Sequence, residues 1–165
     1  MPDMLVPLYK LPPAEPALAD LRATHGIVIR RAYPFERSRV RRFITRHFGE
    51  GWADEAEAVF GPAPVPCWIA IHEKRVVGFA CIESMARGFF GPTGVDEAFR
   101  GKGIGAALLL ASLHGLRSLG YGYGVIGGAG PVAFYAKAVG AVEIPDSTPG
   151  VYQDMLGPDG DEKTA

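Results

Sequence analysis

The sequence predicts one α/β domain: a mixed, mostly antiparallel twisted sheet flanked by helices. Three observations lead there. A length of 165 residues suits one domain. Three apolar, β-branched runs at 67–72, 76–84 and 89–95 follow one another as neighbouring strands do. Beyond Arg100 the pattern changes to alternating helix and strand.

Taken in order, residues 1–25 read as a Pro-rich arm whose apolar run 4–9 forms an edge strand, stopped by Pro12 and Pro13. Residues 27–31 read as a strand. Pro34 then opens a helix in which Val40, Phe43, Ile44 and Phe48 recur at helical spacing until Gly49 and Gly51 end it. A shorter helix over 52–60 closes at Gly61 and Pro62. The polar turn Glu73-Lys74-Arg75 joins 67–72 and 76–84 as a hairpin, with 89–95 beside it. A helix over 104–119 carries Leu108, Leu109, Leu113 and Leu116 over enough of its surface to predict burial. A strand at 123–126, a helix at 131–139 and a hairpin of 141–144 with 151–156 complete the order βααβββαβαββ. The core spans 26–156, and 157–165 reads as a flexible tail within the same 1–165 domain.

Composition narrows the function. With 17 Lys and Arg against 18 Asp and Glu, no global positive field holds a phosphate backbone, so no nucleic-acid partner is expected. Cys67 and Cys81 make neither a disulfide scaffold nor a zinc spacing, and read as small buried side chains with no metal expected. The amino terminus has no basic segment followed by an unbroken apolar one. The longest uncharged stretch, 121–136, is interrupted by glycines and Pro131, so no membrane span is predicted. The expected location is the cytoplasm.

The informative segment runs from Val95 to Ala106, where a strand enters a glycine turn that opens a helix. Glycines admit positive φ, and consecutive N–H groups at a helix start converge on an anion. Arg100 and Lys102 add positive charge. The plainer alternative is a turn that merely starts a helix. Gly101-Lys102 is followed by Gly103 rather than Ser or Thr, so the Walker pattern fails. Gly101, Gly103 and Ala106 satisfy G-x-G-x-x-A, yet no acidic residue stands about 20 positions on to meet a ribose, and a dinucleotide site remains only a rival reading.

Arg100-x-x-Gly103-x-Gly105 resembles the R/Q-x-x-G-x-G/A coenzyme A signature of the GNAT N-acetyltransferase superfamily. Gly91-Pro92-Thr93-Gly94-Val95 is similar to the strand that precedes it in that family, and Ala133-Phe134-Tyr135-Ala136-Lys137 to its later helix. The resemblance implies a GNAT fold with a splayed central strand pair and a pantetheine arm in the splay. It implies main-chain bonds from Val95, and a pyrophosphate held by N–H groups from Arg100 through Gly101, Lys102, Gly103, Ile104, Gly105 and Ala106. Phe134 joins the cofactor side, and Lys137 either reaches phosphate or stays solvated. Tyr135 matches the tyrosine that protonates the departing thiolate, a neutral donor at working pH. The family often carries Asn before this helix, where this chain has Gly127-Gly128-Ala129-Gly130-Pro131.

By the same resemblance, residues 48–55 line the acceptor side. Trp52 with Glu50 and Glu55 suits an ammonium group, although acidic residues also favour a solvated helix start. Arg37, Arg39, Arg41, Arg42 and Arg46 read as an exposed helix face or a dock for an acidic acceptor. For the base that deprotonates the acceptor, Glu83 and His72 are the candidates. The implied reaction is direct acetyl transfer from acetyl-CoA to a primary amine on a small molecule or peptide. A homodimer is a family-level expectation, and a non-catalytic acyl-CoA-binding or regulatory module is the alternative.

Overall fold

Period-two burial builds the centre of the molecule. In the computed structural model, which describes residues 1–157, β3 (Cys67–His72) pairs antiparallel with β4 (Arg75–Ile82). The turn between them is Glu73-Lys74, both at positive φ, as a tight hairpin requires. It is one residue shorter than the sequence suggests, because Arg75 already belongs to the ladder. Cys67, Ile69, Phe79 and Cys81 face one side, and Trp68, Ala70, Ala80 and Ile82 the other. Both faces of the sheet therefore need covering. β2 (Ile27–Arg31) adds beside β3 and β5 (Phe89–Val95) beside β4, each antiparallel.

One face is covered by α2 (Arg37–Phe48) and α3 (Glu50–Ala58), whose Val40, Phe43, Ile44, Ala53 and Ala56 pack around Phe79. Only Gly49, at φ 96°, separates the two helices, so α3 begins two residues earlier than predicted. The other face carries α1 (Glu15–His25), α4 (Ile104–Ser118) and α5 (Val132–Val139). α4 is the apolar centre of that layer, with Leu108, Leu109, Leu113 and Leu116 at 0–1% exposure as the leucine pattern predicts. Its buried Ser112 donates to the Leu108 carbonyl at 2.7 Å, which satisfies the hydroxyl inside an apolar layer.

Three expectations are corrected. The apolar run near the amino terminus is β1 (Met4–Pro7), and it is no edge strand: it lies antiparallel between β6 (Tyr123–Ile126) and β7 (Val142–Glu143). The sheet order is β2-β3-β4-β5-β6-β1-β7. Met4 and Val6 are buried, which an interior strand demands. Residues 15–25 form α1 rather than an irregular arm. Its proline lies in the first turn, where a missing N–H costs no helical bond, and Gly26 at φ 64° caps its end. The final hairpin is absent: β7 pairs with β1, and Gly150–Tyr152 is a 3-10 turn. Pro145 and Pro149 remove N–H donors that a ladder there would use. Gly157 is exposed, and the rest of the predicted tail, 158–165, lies outside the described residues.

Arg30 on β2 fixes the entry to α2 by a two-pronged bond to Glu36, at 2.9 and 2.7 Å. That bond holds the Glu36 carboxyl below the usual carboxylate range, against the opposing effect of burial. With a depressed folded-state pKa, the stabilisation is complete above the unfolded value and fades as pH falls through the folded one. Thermal melts between about pH 7 and about pH 3 are expected to show the advantage of wild type over Glu36→Gln shrinking on acidification.

Candidate active site

The site begins where two strands part. β5 and β6 run parallel but pair only at Phe89 with Val125 and Phe90 with Ile126. β6 ends there, whereas β5 continues to Val95 with β4 on one side alone. Gly91 and Pro92 both stand opposite Cys81, a bulge that bends β5 further from its parallel neighbour. The result is a cleft of about 780 Å³ along the unpaired edge of residues 91–95. Gly94 has a packing reason to be glycine, since a side chain there would strike the Phe48 ring. Phe48 in turn stacks on Trp52 at 5.5 Å, which carries the indole to the wall of the cleft.

At the end of β5 the chain makes a 3-10 turn at Glu97–Phe99, whose first amides the Asp96 carboxylate helps to hold through Ala98 N–H at 3.0 Å. Gly101 and Gly103 then take positive φ, 79° and 85°, and α4 starts. The first intrahelical bond runs from Ala107 N–H to the Gly103 carbonyl. The amides of residues 101–106 have no acceptor among the described residues, six consecutive donors at a helix N-terminus. The Arg100 amide is excluded from that set, because it donates to the Glu97 carbonyl. Arg100, Gly101, Gly103, Ile104, Gly105 and Ala106 line the cleft, while Lys102 is exposed beside it. No side chain caps α4, so an anion is the natural cap.

Across the cleft stands α5, from which Phe134 and Tyr135 both project. Tyr135 is 7% exposed and its ring meets Phe90 edge-on at 6.3 Å. Burial raises its pKa above the ordinary tyrosine value, so the hydroxyl keeps its proton at working pH. Lys137 is exposed on the same helix and does not line the cleft. The glycine-rich loop before α5 is held from a distance. Asp3, buried beside β1, accepts the Gly128 N–H at 2.8 Å, and the Pro2 carbonyl accepts the Ala129 N–H at 2.7 Å. Nothing local in 127–131 signals that dependence on residues far away in the chain.

The other predicted residues separate. Trp52 lines the cleft and a second, adjoining cavity of about 500 Å³, which Glu55 also lines. Glu50 points the other way, into an ion pair with Arg41 at 2.7 Å. Arg41 also binds Asp54 and Glu57, so part of the arginine run is committed to the α2–α3 pair. Glu83 lies outside both cavities. Its carboxylate accepts from the Gly88 N–H and from the Tyr121 hydroxyl, and it serves the 83–88 turn. His72 sits against Phe99 in a different groove, with Arg42, Arg46 and Arg75. The buried thiols of Cys67 and Cys81 face each other across β3 and β4, free of any disulfide. Among the described residues no group of His, Cys, Asp and Glu is placed to hold a metal, and no helix is long and apolar enough to cross a membrane.

The parallel pair that splays over a turn of free amides is the splayed central pair that the sequence resemblance implies. The model of the acetyltransferase (GNAT) family matches residues 30–141, and the chain belongs to that family. Among solved structures it is similar to the GCN5-related glucosamine N-acetyltransferase region of a fungal multi-domain GH3 β-N-acetylglucosaminidase, with TM-score 0.72, 16% identity and 87% of this chain covered. It is also similar to a GCN5-related N-acetyltransferase from Sphaerobacter thermophilus, with TM-score 0.65, 20% identity and 87% of this chain covered. The chain spans 19% of the first of those proteins and 48% of the second, and at these identities the likeness is one of fold. No curated protein matches the sequence significantly.

Proposed function

We propose that the protein transfers an acetyl group from acetyl-CoA directly to a primary amine. One observation carries this reading: the unpaired edge of residues 91–95 leads into six free amides at 101–106, and both share one cleft with buried Tyr135. The free edge suits the amide-bearing pantetheine arm, which can add to it as a strand would. The turn and Arg100 suit the pyrophosphate. When bound, acetyl-CoA supplies an electrophilic thioester carbonyl and a thiol leaving group. A main-chain N–H near Val95 polarises that carbonyl. Tyr135 gives its hydroxyl proton to sulfur as the C–S bond breaks and the C–N bond forms, and recovers a proton from solvent. The acceptor nitrogen sheds its own proton to a base, a role the Glu83 geometry does not support.

The test is thiol release from acetyl-CoA across a panel of primary amines, with the acetylated amine identified by mass. Equal yields of thiol and N-acetyl product are expected. Tight CoA binding without thiol release from any amine would make the protein a non-catalytic acyl-CoA-binding module. Preference for NAD over CoA in a competition titration would overturn the assignment of the glycine turn.

A further inference from the structure

Beyond the bend at Gly91 the cleft opens into the cavity of about 500 Å³, with Phe90, Gly91, Gly127 and Gly128 shared between the two spaces. Its walls are aromatic and thioether groups, chiefly Trp52, Phe89, Tyr152, Met85 and Met155. One charged side chain lines it among the described residues, Glu55. The remaining acids of α3 are engaged on the helix's other side, where Arg41 bridges Glu50, Asp54 and Glu57. No arginine or lysine among the described residues pairs with Glu55.

The hydrogen-bond arithmetic around Glu55 shows a shortage of donors. Ser84 Oγ lies 2.8 Å from Glu55 Oε1 and 2.5 Å from the Gly91 carbonyl oxygen. A hydroxyl has one hydrogen, so one of these two acceptors is left without it. The carboxylate, the hydroxyl lone pairs and the carbonyl thus converge at the junction of the two spaces as an acceptor-only cluster. An ammonium group, with three donors and no acceptor, is its chemical complement. Burial raises the pKa of Tyr152 across the cavity, and the charges of Glu55 and of Asp3 behind the wall add to it.

We infer that this cavity takes the acceptor as a monocation, a primary ammonium on an aromatic or alkyl body, with Glu55 binding the ammonium at the junction and the apolar walls binding the body. This assignment rests on the acetyl-transfer reading. A second positive charge on the acceptor would sit against apolar wall with no further carboxylate lining the cavity among the described residues, a costly burial that disfavours diamines and polyamines. Glu55 also takes the proton that the ammonium must lose: the N–H bond breaks, its electron pair stays on nitrogen, and the carboxylate becomes the neutral acid.

Calorimetry on the whole protein tests this. CoA is titrated first, and then 2-phenylethylamine, 2-phenylethanol and putrescine are titrated with CoA present, which has no acetyl group and permits no turnover. On wild type, 2-phenylethylamine is expected to bind at least about tenfold tighter than either 2-phenylethanol or putrescine. In Glu55→Gln the amine is expected to lose about tenfold or more while the alcohol and CoA are unchanged. The wild-type comparison of amine with alcohol stands even if the variant fails to fold. With CoA binding intact, equal affinity for amine and alcohol, equal or tighter putrescine binding, or an unchanged amine affinity in Glu55→Gln overturns the acceptor assignment and leaves acetyl transfer standing. Absence of CoA binding to wild type overturns the transfer reading, and the acceptor assignment with it.

Discussion

Tyr135→Phe is expected to lower kcat by about 10²-fold or more while leaving CoA affinity nearly unchanged. The substitution removes one oxygen from a ring that is otherwise held by packing against Phe90 and Phe134, so the apolar contacts of α5 survive. The hydroxyl donates to no acceptor among the described residues, and its residue lines the cleft, so the deletion strands no internal partner. A structural role would therefore show in thermal melts, and a chemical role in turnover at saturating amine. The pH dependence separates the two further. Burial raises the Tyr135 pKa, so the acid form persists to a pH above the ordinary tyrosine value of about 10. Loss of turnover through its ionisation belongs on that alkaline side, and the variant should lack that limb. Wild-type kcat in Tyr135→Phe would remove the residue from the chemistry and assign the proton to water.

The parts of this site that were legible in the sequence are those whose geometry is local. Gly101 and Gly103 announce positive φ, the leucines of α4 announce a helix directly after them, and together they announce free amides before the fold is known. Tyr135 was legible through its motif, whereas its burial was not. Of the cavity proposed for the acceptor, Trp52 and Glu55 were legible and the rest was not, because it adds Phe89 from a strand and Tyr152 from a 3-10 turn near the end of the described chain. No periodicity links residues that far apart. The position of β1 is a similar case: the apolar run at 4–9 identified a strand, but its pairing with both β6 and β7 depends on the whole sheet. Gly94 was the missed local clue. A glycine inside a strand marks close approach of another group, here Phe48, and that contact orients Trp52.

The strongest binding effect is expected at Gly103. Its φ of 85° places the left-handed bend between the free amides of 101–102 and those that open α4. A Cβ added there meets no atom within 4 Å, so the space next to the main chain is open to a side chain. The penalty of Gly103→Val is chiefly conformational, about 1–3 kcal/mol for a branched residue in the left-handed region. Position 103 is exposed and outside the core, so the chain can relieve the strain by relaxing the turn to negative φ while α4 remains folded. Relaxation reorients the free amides on the two sides of residue 103 relative to each other. The cost then falls on anion binding: CoA affinity drops by roughly 5- to 150-fold, while thermal stability changes little. Gly103→Asn separates conformation from size, because Asn enters the left-handed region more readily than Val. It should retain most of the affinity despite its larger bulk than alanine. Calorimetric titration of CoA into the three proteins decides the matter. If Val binds CoA as glycine does, the main-chain amides do not provide the grip; if Asn fails as Val does, bulk rather than backbone conformation controls it.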